Sequence, residues 1–216
     1  MTERPTEILK GRVGKAFATP IAAYVWPDSA ALNAALRAQI LEREGKGAGL
    51  AKSNLGGWHS EADLLLWGGQ AVAVLQQRML RMAAEATGQS LRGTSAQRFH
   101  FAVEAWANVS RDGNYNSVHA HPGAHWSGVT YVSIGEPDAE VPMNGHIEFI
   151  DPRTGPGILP LPAGTFEERN IIAPVEGMML LFPSWLKHQV HPFRGRGERI
   201  SIAFNVRISK PTEEAD

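Results

Sequence analysis

The sequence predicts a mainly β fold, an antiparallel sandwich or barrel, with helices gathered on its N-terminal side. Three observations carry this expectation. From Gln97 onward, apolar residues recur with a period of two in short runs separated by Gly, Pro and Asn. Before that point, two segments place apolar residues at helical spacing instead. No helical pattern alternates with the later strands, which argues against a parallel α/β sheet, because each parallel pair needs a long crossover, usually a helix.

The first helix is expected from Ser29 to about Glu44, where Leu32, Leu36 and Ile40 stand four residues apart on one stripe. The second runs from Gln70 to about Thr87, with Val72, Leu75, Met79 and Met82 on one face and Gly88 as its C-terminal stop. Gly47 to Gly57 between them is rich in glycine and reads as an exposed flexible linker rather than a functional lid. The best strands beyond are Arg98 to Val109, Ser127 to Ser133, His146 to Ile150, Met178 to Phe182 and Arg199 to Ile208. The 216 residues are read as a single domain. Within it, residues 1–96 form a mostly helical support that braces one outer face, residues 97–210 form the β core, and Pro211 to Asp216 is a solvated acidic tail.

Composition narrows the function. Hydrophobic residues at 43% and charged residues at 20% suit a packed core and give no case for extensive disorder. A formal net charge of -1 supplies no positive field for nucleic acid or an anionic membrane, so a small-molecule or peptide substrate is favoured. The absence of cysteine excludes disulfides, thiolate ligands and a cysteine nucleophile, and confines any metal site to imidazole and carboxylate. The polar start, Met1 to Glu7, and the lack of any run near about 18 apolar residues show neither an export signal nor a membrane span, so a cytoplasmic location is expected.

Histidine is the chemistry-bearing residue. Five of the eight histidines fall between His119 and His188, and His119-Ala120-His121 places two of them at i and i+2. On a strand such positions face the same side, so both imidazoles can reach one metal ion. The pair alone is a weak signal. A further histidine, His188, ends the hydrophobic run Leu180-Leu-Phe-Pro, close to a turn. Eleven residues later Ile200, Ile202, Phe204 and Val206 alternate with Arg199, Ser201, Ala203, Asn205 and Arg207. The polar face of that strand meets water or lines the inside of a barrel, and the alternation by itself leaves both open.

In order along the chain stand Asn108-Val-Ser-Arg-Asp-Gly113, His119-x-His121, Ser127-Gly-Val-Thr-Tyr131, Gly145-His-Ile-Glu-Phe-Ile-Asp-Pro-Arg153, Leu181-Phe-Pro-Ser184, His188 and Arg199-x-Ser201. This ordered set resembles the 2-oxoglutarate/Fe(II) oxygenases, in a bacterial and phage branch, over roughly residues 98 to 208, with a weaker likeness at Ala18-Thr-Pro-Ile21. The resemblance implies a double-stranded β-helix, a cupin-like jelly roll, with residues 97–210 as its metal-binding core. It also implies Fe(II) as cofactor and 2-oxoglutarate as cosubstrate. By the same resemblance His119 and His188 match the first and the distant metal ligands, and Arg199 pairs with the distal carboxylate of 2-oxoglutarate. Ser201 adds a hydroxyl hydrogen bond, and Asn108 stands where some members carry a cosubstrate-binding asparagine. A planar guanidinium suits that carboxylate because it donates two parallel hydrogen bonds.

The sequence departs from the pattern at His121, which replaces the usual Asp or Glu ligand. Three readings follow: a three-histidine site, a His121 that lies outside the ligand set, or a protein that has lost catalysis. The three-histidine site, His119, His121 and His188, is the one carried forward. His125 and His191 are the substitutes if a ligand is misassigned, and His146 begins a strand near the same pocket. His59 and His100 have no motif around them, and Asp151 in Asp-Pro-Arg reads as a strand exit. Trp126, Tyr131 and Trp185 line the substrate mouth or, as aromatics on such strands usually do, the core. The expected function is hydroxylation of a small-molecule or peptide substrate. The alternatives are a three-histidine cupin enzyme that does not use 2-oxoglutarate, and a non-catalytic metal-dependent binding module. Open sheet edges leave a homodimer as an option.

Overall fold

The computed structural model describes residues 18–91, 99–153 and 169–210. The polar start and the acidic tail lie outside the described residues. Two antiparallel sheets form the body. The larger contains β1 (Ala22–Val25), β3 (Trp58–His59), β4 (His100–Ser110), β6 (Trp126–Pro137), β9 (Met178–Pro183) and β11 (Gly195–Ser209), in the order β1-β9-β6-β11-β4-β3. The smaller contains β2 (Asn54–Leu55), β5 (Tyr115–His119), β7 (Ile147–Ile150), β8 (Arg169–Ile172) and β10 (His188–Val190), in the order β2-β5-β10-β7-β8. From β4 to β11 the chain passes back and forth between the sheets, which is the jelly-roll arrangement.

The period of two that marks these strands sorts their side chains into two cores. Met179 and Leu181 of β9 join one cluster, and their neighbours Leu180 and Phe182 join the other. On β6, Val132 and Tyr131 divide in the same way. The first cluster lies between the large sheet and two helices, α1 (Ala30–Glu44) and α2 (Gln70–Ser90). Leu36 and Ile40 of α1, and Val72, Leu75, Met79 and Met82 of α2, are buried there, as their spacing predicts. The second cluster packs Tyr131, Leu180 and Phe182 against Ile147 and Phe149 of β7, between the sheets.

Ile200, Ile202, Phe204 and Val206 of β11 all enter the helix-facing cluster. The polar face of β11 therefore turns inward, because the helices occupy the side where water would otherwise lie.

The N-terminal segment does more than brace. Its β1 pairs with β9 in the register Ala22↔Leu181 to Val25↔Met178, β2 joins the small sheet through β5, and β3 joins the large sheet through β4. The glycine-rich connection is thus stitched to both sheets at its C-terminal end rather than hanging free as a linker.

Gly88 does not stop α2, which continues to Ser90. Thr87 is buried and accepts a hydrogen bond from Trp126 Nε1 at 3.0 Å, so the last turn is held on the sheet and passes through the glycine. No helix of the described residues is long and apolar enough to cross a membrane.

Gly128 on β6 shows how tightly the large sheet is packed. A Cβ there would stand 2.3 Å from the Phe204 ring and 2.6 Å from the Leu180 carbonyl oxygen. Gly128→Ala is expected to destabilise the protein by about 1–3 kcal/mol through overpacking. Urea unfolding checks this as a lower midpoint with an unchanged m value.

Candidate metal centre

His119 and His188 meet because their strands are neighbours: they are direct partners in the antiparallel pair β5–β10. The chain reaches His188 after leaving the large sheet at Pro183, turning through Ser184 to Lys187 and entering the small sheet. His188 therefore begins β10 rather than ending the hydrophobic strand before it. His121, by contrast, is not on a strand. β5 ends at His119, and Pro122-Gly123 turns the chain away. The His121 N–H donates to Ser184 O at 2.9 Å, which ties this bend to the β9–β10 connection.

By these separate routes the three rings converge. Centroid separations are 5.0 Å for His119–His121, 4.3 Å for His119–His188 and 5.2 Å for His121–His188. One nitrogen from each lies within 4.8 Å of the others, a spacing that one ion can bridge. This group contains no carboxylate. Asp151 is engaged with Arg153, in keeping with a strand exit. His125 Nδ1 accepts the Ile208 N–H at 3.0 Å, and His191 Nε2 stands 2.7 Å from a Glu148 oxygen, so neither joins the cluster.

Burial disfavours the charged imidazolium in all three. It lowers His119 below the usual histidine value; it takes His121 to about 4, helped by the charges of His119 and His59; and it takes His188 to about 3, helped chiefly by His119. All three are neutral near pH 7 and offer lone pairs, the form in which histidine binds a metal.

The rings open on a cavity of about 520 Å³ lined from both sheets. At one end lies Arg199, 3% exposed. Its Nε donates to Gly145 O at 3.2 Å. Gly145 has φ 66°, and a Cβ there would stand 3.1 Å from that Nε, so glycine serves both the turn and the close approach. Burial pushes the guanidinium down from its ordinary value, opposed only by the neighbouring Tyr131 phenol. The Arg199 Cζ lies 5.3 Å from the Tyr131 ring centroid. The nearby guanidinium charge pulls on the phenol, yet the pair misses hydrogen-bond geometry, and Tyr131 Oη is buried without a partner. Burial dominates and raises this phenol to about 12.

Next along the same floor are Ser201 and Asn108, direct partners across β11 and β4. Asn108 Oδ1 is a second buried atom without a partner. The buried guanidinium and the unpartnered Tyr131 hydroxyl are donors that an anionic ligand would satisfy, whereas the Asn108 amide oxygen can only accept.

Of the aromatics expected in the core or at a mouth, Trp126 and Tyr131 are buried in the two clusters and Trp185 is in neither. Trp185 is 54% exposed and does not line the cavity. Tyr131 stands beside Arg199 rather than at a mouth. His59 and Trp106, to which the sequence assigned nothing, both line the cavity, with rings stacked at 5.8 Å and 14°. The usable signal for Trp106 was its period-two relation to Asn108; for His59 there was none, because its pairing with Asn108 is tertiary.

The lowered histidine values predict an acid sensitivity. Unfolded histidines take up protons near pH 6.5, whereas folded His121 resists until about pH 4 and His188 until about pH 3, so between those limits the unfolded state binds more protons. Stability of the metal-free protein is expected to be full above about pH 6.5 and to fall as pH drops toward 4. Denaturation midpoints across that window check this, and His188→Phe is expected to flatten the slope.

Residues 104–205 match the model of the family described as "Putative 2OG-Fe(II) oxygenase". No curated protein sequence matches the chain. Among solved structures, a Pseudomonas putida prolyl-4-hydroxylase is 19% identical with a TM-score of 0.59, over 87% of this chain and 91% of that one. HygX from Streptomyces hygroscopicus with iron bound is 14% identical with a TM-score of 0.54, over 90% and 83%. The same HygX has also been solved with nickel and 2-oxoglutarate. A Trichoplax adhaerens prolyl hydroxylase in complex with a hypoxia inducible factor peptide fragment is 12% identical with a TM-score of 0.55, over 87% and 83%. At these identities the structures establish a shared jelly-roll fold. The family match spans the segments that carry the three histidines and Arg199, so through residues 104–205 this chain is similar to the 2OG-Fe(II) oxygenase family, and the shared fold agrees with that likeness.

Proposed function

We propose that His119, His121 and His188 hold Fe(II), that Arg199, Ser201, Asn108 and Tyr131 hold 2-oxoglutarate, and that the enzyme hydroxylates a small-molecule or peptide substrate. The observation that carries this reading is the Arg199 guanidinium, buried at the end of the histidine-lined cavity, with Gly145 O as its only hydrogen-bond acceptor among the described residues. A fixed positive charge in that position is costly unless an anion completes it.

The residues divide the work by position. Arg199 meets the distal carboxylate with its remaining N–H groups, and the hydroxyls of Ser201 and Tyr131 donate to the same group. Asn108 lies on the neighbouring strand with an amide whose N–H donors serve the same ligand. Together, the bound Fe(II) and 2-oxoglutarate supply the oxidising power that uses O₂ to convert a substrate C–H into C–OH, giving succinate and CO₂. The histidines, neutral at working pH, need lose no proton to act as ligands. No side chain is required as a general base. Trp106, Glu104 and Asn205, farther from Arg199 along the same two strands, leave the open part of the cavity for substrate.

A three-histidine cupin chemistry without 2-oxoglutarate is the second reading, favoured by the absence of a carboxylate from the cluster. Anaerobic titration with Fe(II) and then 2-oxoglutarate separates the two. Wild type is expected to develop the weak visible charge-transfer band of the chelated cosubstrate, and His121→Ala to lose it. Arg199→Ala is expected to weaken 2-oxoglutarate binding by about 2–5 kcal/mol, roughly thirtyfold or more. Metal binding with no band in wild type would move the protein to the second reading.

A further inference from the structure

Two of the three histidines are held by the backbone. His119 Nδ1 lies 2.7 Å from Ser117 O, and His188 Nδ1 lies 2.9 Å from Leu186 O, in each case the carbonyl two residues earlier. A carbonyl only accepts, so each Nδ1 carries the proton and each Nε2 is a free lone pair of set direction. His121 is held differently. Among the described residues its ring makes no hydrogen bond, and its backbone has left the strand ladder. Its other ring neighbour is Trp106, with centroids 5.6 Å apart and planes at 42°.

Trp106 is itself fixed. It sits in the middle of β4 opposite Ala203, is 9% exposed, and is stacked on His59. The His59 ring is anchored in turn, with Nδ1 2.6 Å from Ser60 O. A line of packed rings thus runs from an anchored imidazole on β3, through an indole on β4, to the one histidine of the cluster whose ring has no hydrogen bond to the backbone.

We propose that Trp106, itself steadied by His59, is a positioning residue that turns the His121 imidazole toward His119 and His188. This rests on the reading of the three histidines as the ligand set. Ring packing restrains tilt but fixes no tautomer, so His121 is the ligand most easily released, and the aromatic contact decides whether the ion sees two imidazoles or three.

Co(II) titration of the full chain tests this without turnover, reading affinity by calorimetry and coordination by the d–d spectrum. Trp106→Leu is expected to weaken Co(II) binding by about tenfold, as loss of a ligand-orienting partner does. Its spectrum should shift toward that of His121→Ala, and Trp106→Phe should recover most of the affinity. The double variant Trp106→Leu/His121→Ala should bind no more weakly than His121→Ala alone. His59→Leu is the milder arm and should move the spectrum in the same direction. Unmoved affinity and spectra in Trp106→Leu and His59→Leu, with binding still lost in His121→Ala, would overturn the positioning role and leave the ligand set intact. So would full additivity in the double variant. Wild-type affinity in both His119→Ala and His121→Ala would instead overturn the ligand set, and the positioning role with it.

Discussion

Strand β11 is covered on both sides, and its two faces carry opposite chemistry. Ile200, Ile202, Phe204 and Val206 enter the core beneath the helices, while Arg199, Ser201, Ala203 and Asn205 face the cavity between the sheets. A slip of one residue would drive Arg199 into the apolar core and turn four large hydrophobic residues toward the histidines. The register is held by an unbroken ladder to β4, from Arg199↔Ser110 to Ser209↔His100, and by β6 on the other side. Stability and function therefore make the same demand here: the alternation that buries apolar area also delivers a buried cation to the cavity.

The histidines depend on that frame. Because the chain passes between the sheets after β9, a residue of the small sheet follows shortly after a residue of the large one, and His188 comes to face His119 across a strand pair. His121 arrives by a bend rather than by a ladder, tied through its N–H to Ser184 O. The cluster is neutral near pH 7 and lacks a carboxylate, and Arg199 adds a positive charge nearby. The buried positive charge is thus concentrated at the Arg199 end of the cavity, apart from Glu104, which lies farther along β4.

Much of this was legible in order along the chain. The two helices and strands β4, β6, β7, β9 and β11 follow from periodicity, since burial on one side imposes a period of 3.6 or 2 along an element. Strands β1, β2, β3, β5, β8 and β10, of two to five residues, were not read from the sequence, because such short runs carry little or no apolar alternation and are defined by their partners. Gly88 failed as a stop for a similar reason: its propensity is weaker than the tertiary hold of Trp126 on Thr87.

The sequence by itself determined the fold class, the identity of the convergent histidines as candidates, and the pairing of an arginine with a serine two residues on. Those properties are local: they reside in spacing along one strand or in an ordered set of motifs. Only the tertiary structure decided that the polar face of β11 looks inward, that Tyr131 stands beside Arg199, and that His59 and Trp106 line the cavity. Each of these depends on which element covers a face or stands across a ladder, and such contacts form between residues far apart in the chain, where no local period records them.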